Sequence, residues 1–91
     1  VMMRNDAVVS AFSRGQSGRA GALRTDGRCL YSYDLKIAEK TLGGIAVADY
    51  TAGGGRFVSQ TTSKHVGLAK RVADTVMLPE TFVATFCKMP F

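Results

Sequence analysis

The sequence predicts an α+β domain, and three features of its 91 residues carry that expectation. A short amphipathic segment opens the chain, alternating segments punctuated by glycine fill its middle, and the apolar period becomes helical near residue 62. The expected architecture is a short N-terminal helix and an antiparallel sheet of three to five strands with helices on one face. One longer helix at residues 62–76 packs on the sheet, and the C-terminal tail is helical. Residues 1–91 suit one small domain.

Asn5 or Asp6 can cap the first helix, in which Val8, Ala11 and Phe12 share a face and Gly15 is a natural stop. The segment from Gly15 to Gly21 holds three glycines in seven residues and is expected to be a mobile or tightly turned loop. Ala22–Thr25 and Arg28–Tyr33 then flank Asp26-Gly27, a dipeptide suited to a two-residue type I′ hairpin turn. Leu35–Lys40 continues as strand with Leu35 and Ile37 inward and Lys36 outward. Gly43-Gly44 turns the chain into Ile45–Tyr50. Gly53-Gly54-Gly55 ends that strand, and residues 56–59 are expected to form a short last one. From Thr61 or Thr62 onward, Val66, Ala69, Val72, Ala73 and Val76 form a helical stripe, with Lys64, Gly67, Arg71 and Asp74 on another face. Pro79-Glu80 suits a first helical turn, and Phe82 and Phe86 are spaced for a helix, although the β-branched content of the tail would also suit a strand.

A hydrophobic fraction of 46% supports a small core, marginal by size. No apolar run approaches the roughly 20 residues of a membrane span, and Val1-Met2-Met3-Arg4 is too short for a secretory leader. Cys29 and Cys87 have no metal-ligand spacing and are expected to be reduced, as in a cytoplasmic protein. No cofactor and no metal are expected. Twelve Lys and Arg against seven Asp and Glu give a net charge of +5 and a pI near 9.6. That sign draws polyanions, and the alternative is plain solubility, since such a net charge is ordinary for a small domain. Arg14, Arg19, Arg24 and Arg28 make the N-terminal third basic.

The segment Ser59-Gln60-Thr61-Thr62-Ser63-Lys64-His65 gathers four hydroxyls, a Lys and the only His at one helix start. With Thr61 or Thr62 as N-cap, the remaining amides, Ser63 and Lys64 could close around an oxyanion. An ordinary cap with Lys64 facing water needs no ligand. His65 as a base would have Ser59, Ser63 or Asp49 as companions, but no G-x-S-x-G motif is present. A histidine packed under the sheet or bonded to a strand carbonyl is the alternative. Gly53-Gly54-Gly55-Arg56 leads into strand rather than into Gly-Lys-Ser/Thr and a helix, so a hairpin turn is expected there rather than a phosphate loop. Tyr31, Tyr33, Tyr50 and Phe57 interleave with Arg28, Lys36 and Arg56, as on sheets that stack single-stranded nucleic acid. Strand aromatics also serve cores.

The segments Leu30-Tyr31-Ser32-Tyr33…Ile37-Ala38 and Ser59…Thr61-Thr62-Ser63-Lys64-His65, preceded by Phe12-Ser13-Arg14-Gly15 and Asp26-Gly27, carry a resemblance. Over about residues 5–75 the chain resembles a small domain of unknown function found in proteins of tailed phages and other viruses or mobile elements. The resemblance implies a virus-encoded accessory protein acting in the host cytoplasm and carries over no activity. The tail after Leu78 lies outside it, and the triple glycine and the basic N-terminal loop are not features of the family pattern.

The expected function is a non-catalytic binding module acting on nucleic acid or on a host complex that handles it. The contacts fall to Arg14, Arg19, Arg24, Arg28, Arg56, Thr62, Ser63, Lys64, His65 and Arg71. The alternatives are a counter-defence inhibitor of the anti-CRISPR kind, which binds a host protein, and a small enzyme using His65. The polyanion expectation requires cations and unpaired amides to gather where sheet passes into the long helix.

Overall fold

The structure, a computed structural model, describes residues 4–51 and 58–86. Its elements run α1 (Asn5–Ser13), β1 (Ser17–Ala20), β2 (Leu23–Asp26), β3 (Cys29–Ser32), β4 (Leu35–Thr41), β5 (Gly44–Ala48), α2 (Gln60–Lys70), β6 (Thr75–Met77) and α3 (Pro79–Phe86). The α+β class and the helical tail agree with the sequence. The sheet does not agree in detail: it has six strands in the order β1-β2-β3-β4-β5-β6, of which β1 to β5 form an antiparallel meander and β6 pairs parallel with β5. A parallel neighbour needs a crossover, and α2 supplies it.

Register sorts the side chains onto two faces, because directly paired residues point the same way. Leu23 pairs with Ser32 and Thr25 with Leu30 on the inner face. Val8 and Phe12 of α1 and Val66 and Ala69 of α2 join the core there with Leu23, Leu30, Ile37 and Val47, all fully buried. Arg19 pairs with Arg24, Arg24 with Tyr31, and Tyr31 with Lys36, which puts these four in one row on the outer face. The Lys36 Nζ donates to the carbonyl of Phe86 at 3.1 Å, so α3 lies over the outer face at β4 and β5. Phe82 on the buried side of α3 is fully enclosed, and its ring meets that of Phe86 in a tilted pair with centroids 5.0 Å apart. The helices therefore occupy both faces rather than one.

Several local expectations are corrected. The glycine-rich segment after α1 is not only a loop: Ser17–Ala20 forms edge strand β1, in which only Ala20 is buried, so no apolar alternation marks it. The Asp26-Gly27 hairpin is wider than a two-residue turn, since its last strand pair is Thr25 with Leu30. Asp26 accepts from the amides of Cys29 (2.8 Å) and Arg28 (2.9 Å), which hold its carboxyl below the usual carboxylate range, and only Gly27 takes a positive φ there. The amide bonds, not a type I′ geometry, shape the turn. Residues 28–40 are two strands joined at Tyr33-Asp34, with a bulge beyond the Leu30–Ala38 pair. The first helix begins one residue earlier than expected, with Arg4 at its N-cap and no side-chain cap.

The expected helix 62–76 starts at Gln60 and ends at Lys70. Val72 and Ala73 leave the helix but still pack against the core, and Val76 belongs to β6. The Asp74 carboxylate accepts from the Ile45 amide at 2.8 Å while its own amide donates to the Ile45 carbonyl at 2.9 Å, which starts the pairing of β5 with β6. The triple glycine, Arg56 and Phe57 lie outside the described residues, and Val58 and Ser59 lead into α2 rather than forming a strand.

Gly44 has φ +122°, and an added Cβ would overlap the Asp74 side chain that binds Ile45. Gly44→Ala is expected to destabilise the protein by about 1–3 kcal/mol, read as a lower midpoint in urea unfolding. An unchanged midpoint would show that this junction does not hold β6 in place.

Candidate nucleic-acid interface

The helix start that looked most open in the sequence is split: Thr62 and His65 turn inward, while Gln60, Thr61 and Lys64 stay exposed. Ser59 is the N-cap of α2, with an extended backbone and an Oγ that accepts from the Thr62 amide at 3.1 Å, so neither Thr61 nor Thr62 caps the helix. Thr62 and His65, one helical turn apart, face the sheet with Val66 and Ala69. The hydroxyl of Ser32 on β3 lies 2.7 Å from Nδ1 of His65 and 3.0 Å from Oγ1 of Thr62. Relative exposures of 0% for Ser32, 1% for Thr62 and 3% for His65 seal the three from solvent. Each group can both donate and accept, so the chain of protons can run in either direction. Burial holds the His65 imidazole below its ordinary value of 6.5, in the neutral form this network uses. His65 is thus bonded to a strand side chain, not to a strand carbonyl, and not to Ser59, Ser63 or Asp49. Asp49 instead meets Lys70 at 2.8 Å and Thr51 at 2.7 Å.

The outer face of β1, β2 and β3 carries the other group of candidates. Among the described residues no helix lies over it; α1 meets these strands from the inner side, and α3 sits at β5. The Arg24 guanidinium stacks 4.3 Å from the centroid of Tyr31 and stands 3.7 Å from the exposed Asp34 carboxylate. Arg19, directly across from Arg24, is exposed and has no acidic partner among the described residues. Arg28, in the β2–β3 turn, has a side chain 76% exposed and lies 3.7 Å from Glu39. Glu39 is buried on the same face, where it also pairs with Lys36 and accepts weakly from the Cys29 thiol at 3.7 Å. Burial pushes the Cys29 thiol up, which keeps it protonated and a poor nucleophile.

The ten residues singled out from the sequence do not form one surface. Arg19, Arg24 and Arg28 meet on or beside the outer face. Arg14 is the exposed residue after α1, while Lys64 and Arg71 are exposed along α2, on the inner side of the sheet. Ser63 is half-buried, Thr62 and His65 are enclosed, and Arg56 lies outside the described residues. The arginines therefore do not converge on the helix start, where Gln60, Thr61 and Lys64 are exposed and only Thr62 and His65 are enclosed. Tyr31 was visible in the sequence as an aromatic among arginines, but its stacking on Arg24 and the uncovered face were not. Ser32 was missed because a lone strand serine carries no sequence signal for burial. Among the described residues no three His, Cys, Asp or Glu side chains cluster as a metal site, and no helix is long and apolar enough to cross a membrane.

No protein-family model matches the chain, no curated protein matches it, and no solved structure matches it.

Ser32→Ala leaves Nδ1 of His65 and the Thr62 hydroxyl without their shared partner inside the fold, and is expected to cost about 1–3 kcal/mol in denaturant unfolding. Because the folded-state pKa of His65 is depressed, the unfolded chain takes up the proton first as pH falls below about 6.5. Stability is therefore full above that pH and declines below it. His65→Gln should remove most of this decline, and an identical pH slope in the variant would place the titrating group elsewhere.

Proposed function

We propose that this protein is a small, non-catalytic binding module, virus-encoded as the resemblance suggests, that engages nucleic acid through the outer face of β1–β3. The observation that carries this is the cross-strand row Arg19, Arg24 and Tyr31 on a face that no described helix covers. A polyanion gains from the cations, and a base gains from an aromatic already stacked on a guanidinium. Of the acids nearby, Glu39 is occupied by Lys36 and Arg28 and Asp26 by two backbone amides, while the exposed Asp34 stands beside Arg24. A non-catalytic role is supported by the enclosure of the one Ser–His pair, whose Ser32 hydroxyl no substrate can approach without opening the core.

The face is small, so binding is expected to be modest and strongly salt-dependent. Retardation of an oligonucleotide at low salt should weaken as salt rises, with a log–log slope near −2 if Arg19, Arg24 and Arg28 each neutralise one phosphate of a single strand. Combining Arg19→Ala and Arg24→Ala should flatten that slope by about 1.4, whereas Lys64→Ala and Arg71→Ala should leave it unchanged. An absence of retardation even at low salt would move the function to the counter-defence alternative, a host protein as partner. A surface suited to that is sheet edge β6, which carries the exposed Val76 and is followed by the exposed Leu78.

A further inference from the structure

We infer that the nucleic acid is single-stranded and that Tyr33, in the β3–β4 turn beside Asp34, supplies a second base-stacking ring next to the Tyr31–Arg24 pair. This rests on the nucleic-acid function proposed above. Tyr33 is the one non-glycine residue among those described that has a positive φ, at +57°. Its amide is fixed to the carbonyl of Ala22 at 2.8 Å, which ties its turn to the β1–β2 turn. Glycine or asparagine would occupy that conformation with less strain. Instead the position holds a large aromatic that is 56% exposed, so its ring returns little to the core. A left-handed backbone and a largely exposed ring fall on one residue, with little packing gain to offset them. Such outliers gather where a surface is used.

The neighbours give that use its chemistry. Asp34, the next residue, reaches the Arg24 guanidinium, and Arg24 covers one face of Tyr31. Tyr31, Arg24 and Tyr33 therefore sit at one end of the uncovered strands, with Arg19 directly across from Arg24. Bases of a single strand have exposed π-faces that can stack on such rings while their phosphates meet the arginines; a duplex keeps its bases stacked on each other. Preference for the single strand follows, with little dependence on sequence.

The test compares the wild-type chain with Tyr33→Asn and Tyr33→Phe, using a short thymidine oligomer, its RNA counterpart and a duplex. Asparagine tolerates the left-handed conformation, so Tyr33→Asn should unfold at the same denaturant concentration as wild type or a higher one. Its affinity for both single strands should fall about tenfold with the salt slope unchanged, while Tyr33→Phe retains affinity. The chain has three tyrosines and no tryptophan, so quenching of tyrosine emission on binding gives a second readout, which Tyr33→Asn should reduce. Equal affinity of the variant and wild type for single strands, or wild-type affinity for duplex equal to that for single strand, overturns the stacking assignment and leaves salt-dependent phosphate binding standing. A loss of stability in Tyr33→Asn would make the ring structural and also overturn it. Failure of the wild type to bind any of the three at low salt removes both proposals.

Discussion

The structure depends on one buried contact, the Ser32 hydroxyl held between Thr62 and His65. It joins the middle of the sheet to the first turn of α2, and it sets which way that turn faces. A hydroxyl or imidazole enclosed without a partner is costly, and all three groups become satisfied only when α2 lies with its polar turn against β3. Among the described residues no buried side-chain nitrogen or oxygen lacks a hydrogen bond. The contact also joins two segments about thirty residues apart, around Ser32 and around residues 59–65.

With α2 fixed inward, the rest of the architecture follows. The crossover from β5 to β6 runs along the inner face beside α1, and Asp74 secures the return by bonding to both backbone groups of Ile45. Lys40 closes the C-terminal end of α1 by donating to the carbonyl of Ser13 at 2.9 Å, where a cation also suits the helix dipole. Among the described residues only α3 is left to cover the outer face, and its eight residues reach the β4–β5 side. Arg19, Arg24 and Tyr31 remain uncovered because no described helix is left to pack over them.

Periodicity made part of this legible. Val8, Ala11 and Phe12 announced α1, Val66 and Ala69 announced the inward stripe of α2, and Phe82 with Phe86 announced α3, because apolar spacing reports burial directly. Strand β1 was hidden, since Ser17-Gly18-Arg19-Ala20 is an edge strand held by backbone pairing with almost no buried side chain. The end of α2 was hidden because Val72, Ala73 and Val76 are spaced for a helix, while the event that stops it is a tertiary bond from Asp74 to Ile45. The enclosure of Thr62 and His65 was hidden for a related reason. Hydroxyls, Lys64 and His65 at a helix start carry the same local pattern whether they face solvent or a buried serine thirty residues earlier. Only the fold distinguishes the two. The row of Arg19, Arg24 and Tyr31 depends on register across three strands, which spacing within one segment does not encode.

The most direct measurement is amide chemical-shift mapping of the isotope-labelled protein during titration with a single-stranded oligonucleotide. The largest shifts should fall within residues 17–34, at the β1, β2 and β3 positions and the Tyr33-Asp34 turn, with residues 59–66 unmoved. Shifts centred on Ser59–His65 with a silent sheet would contradict the account, because they would make the exposed Gln60, Thr61 and Lys64 of the helix start the binding surface.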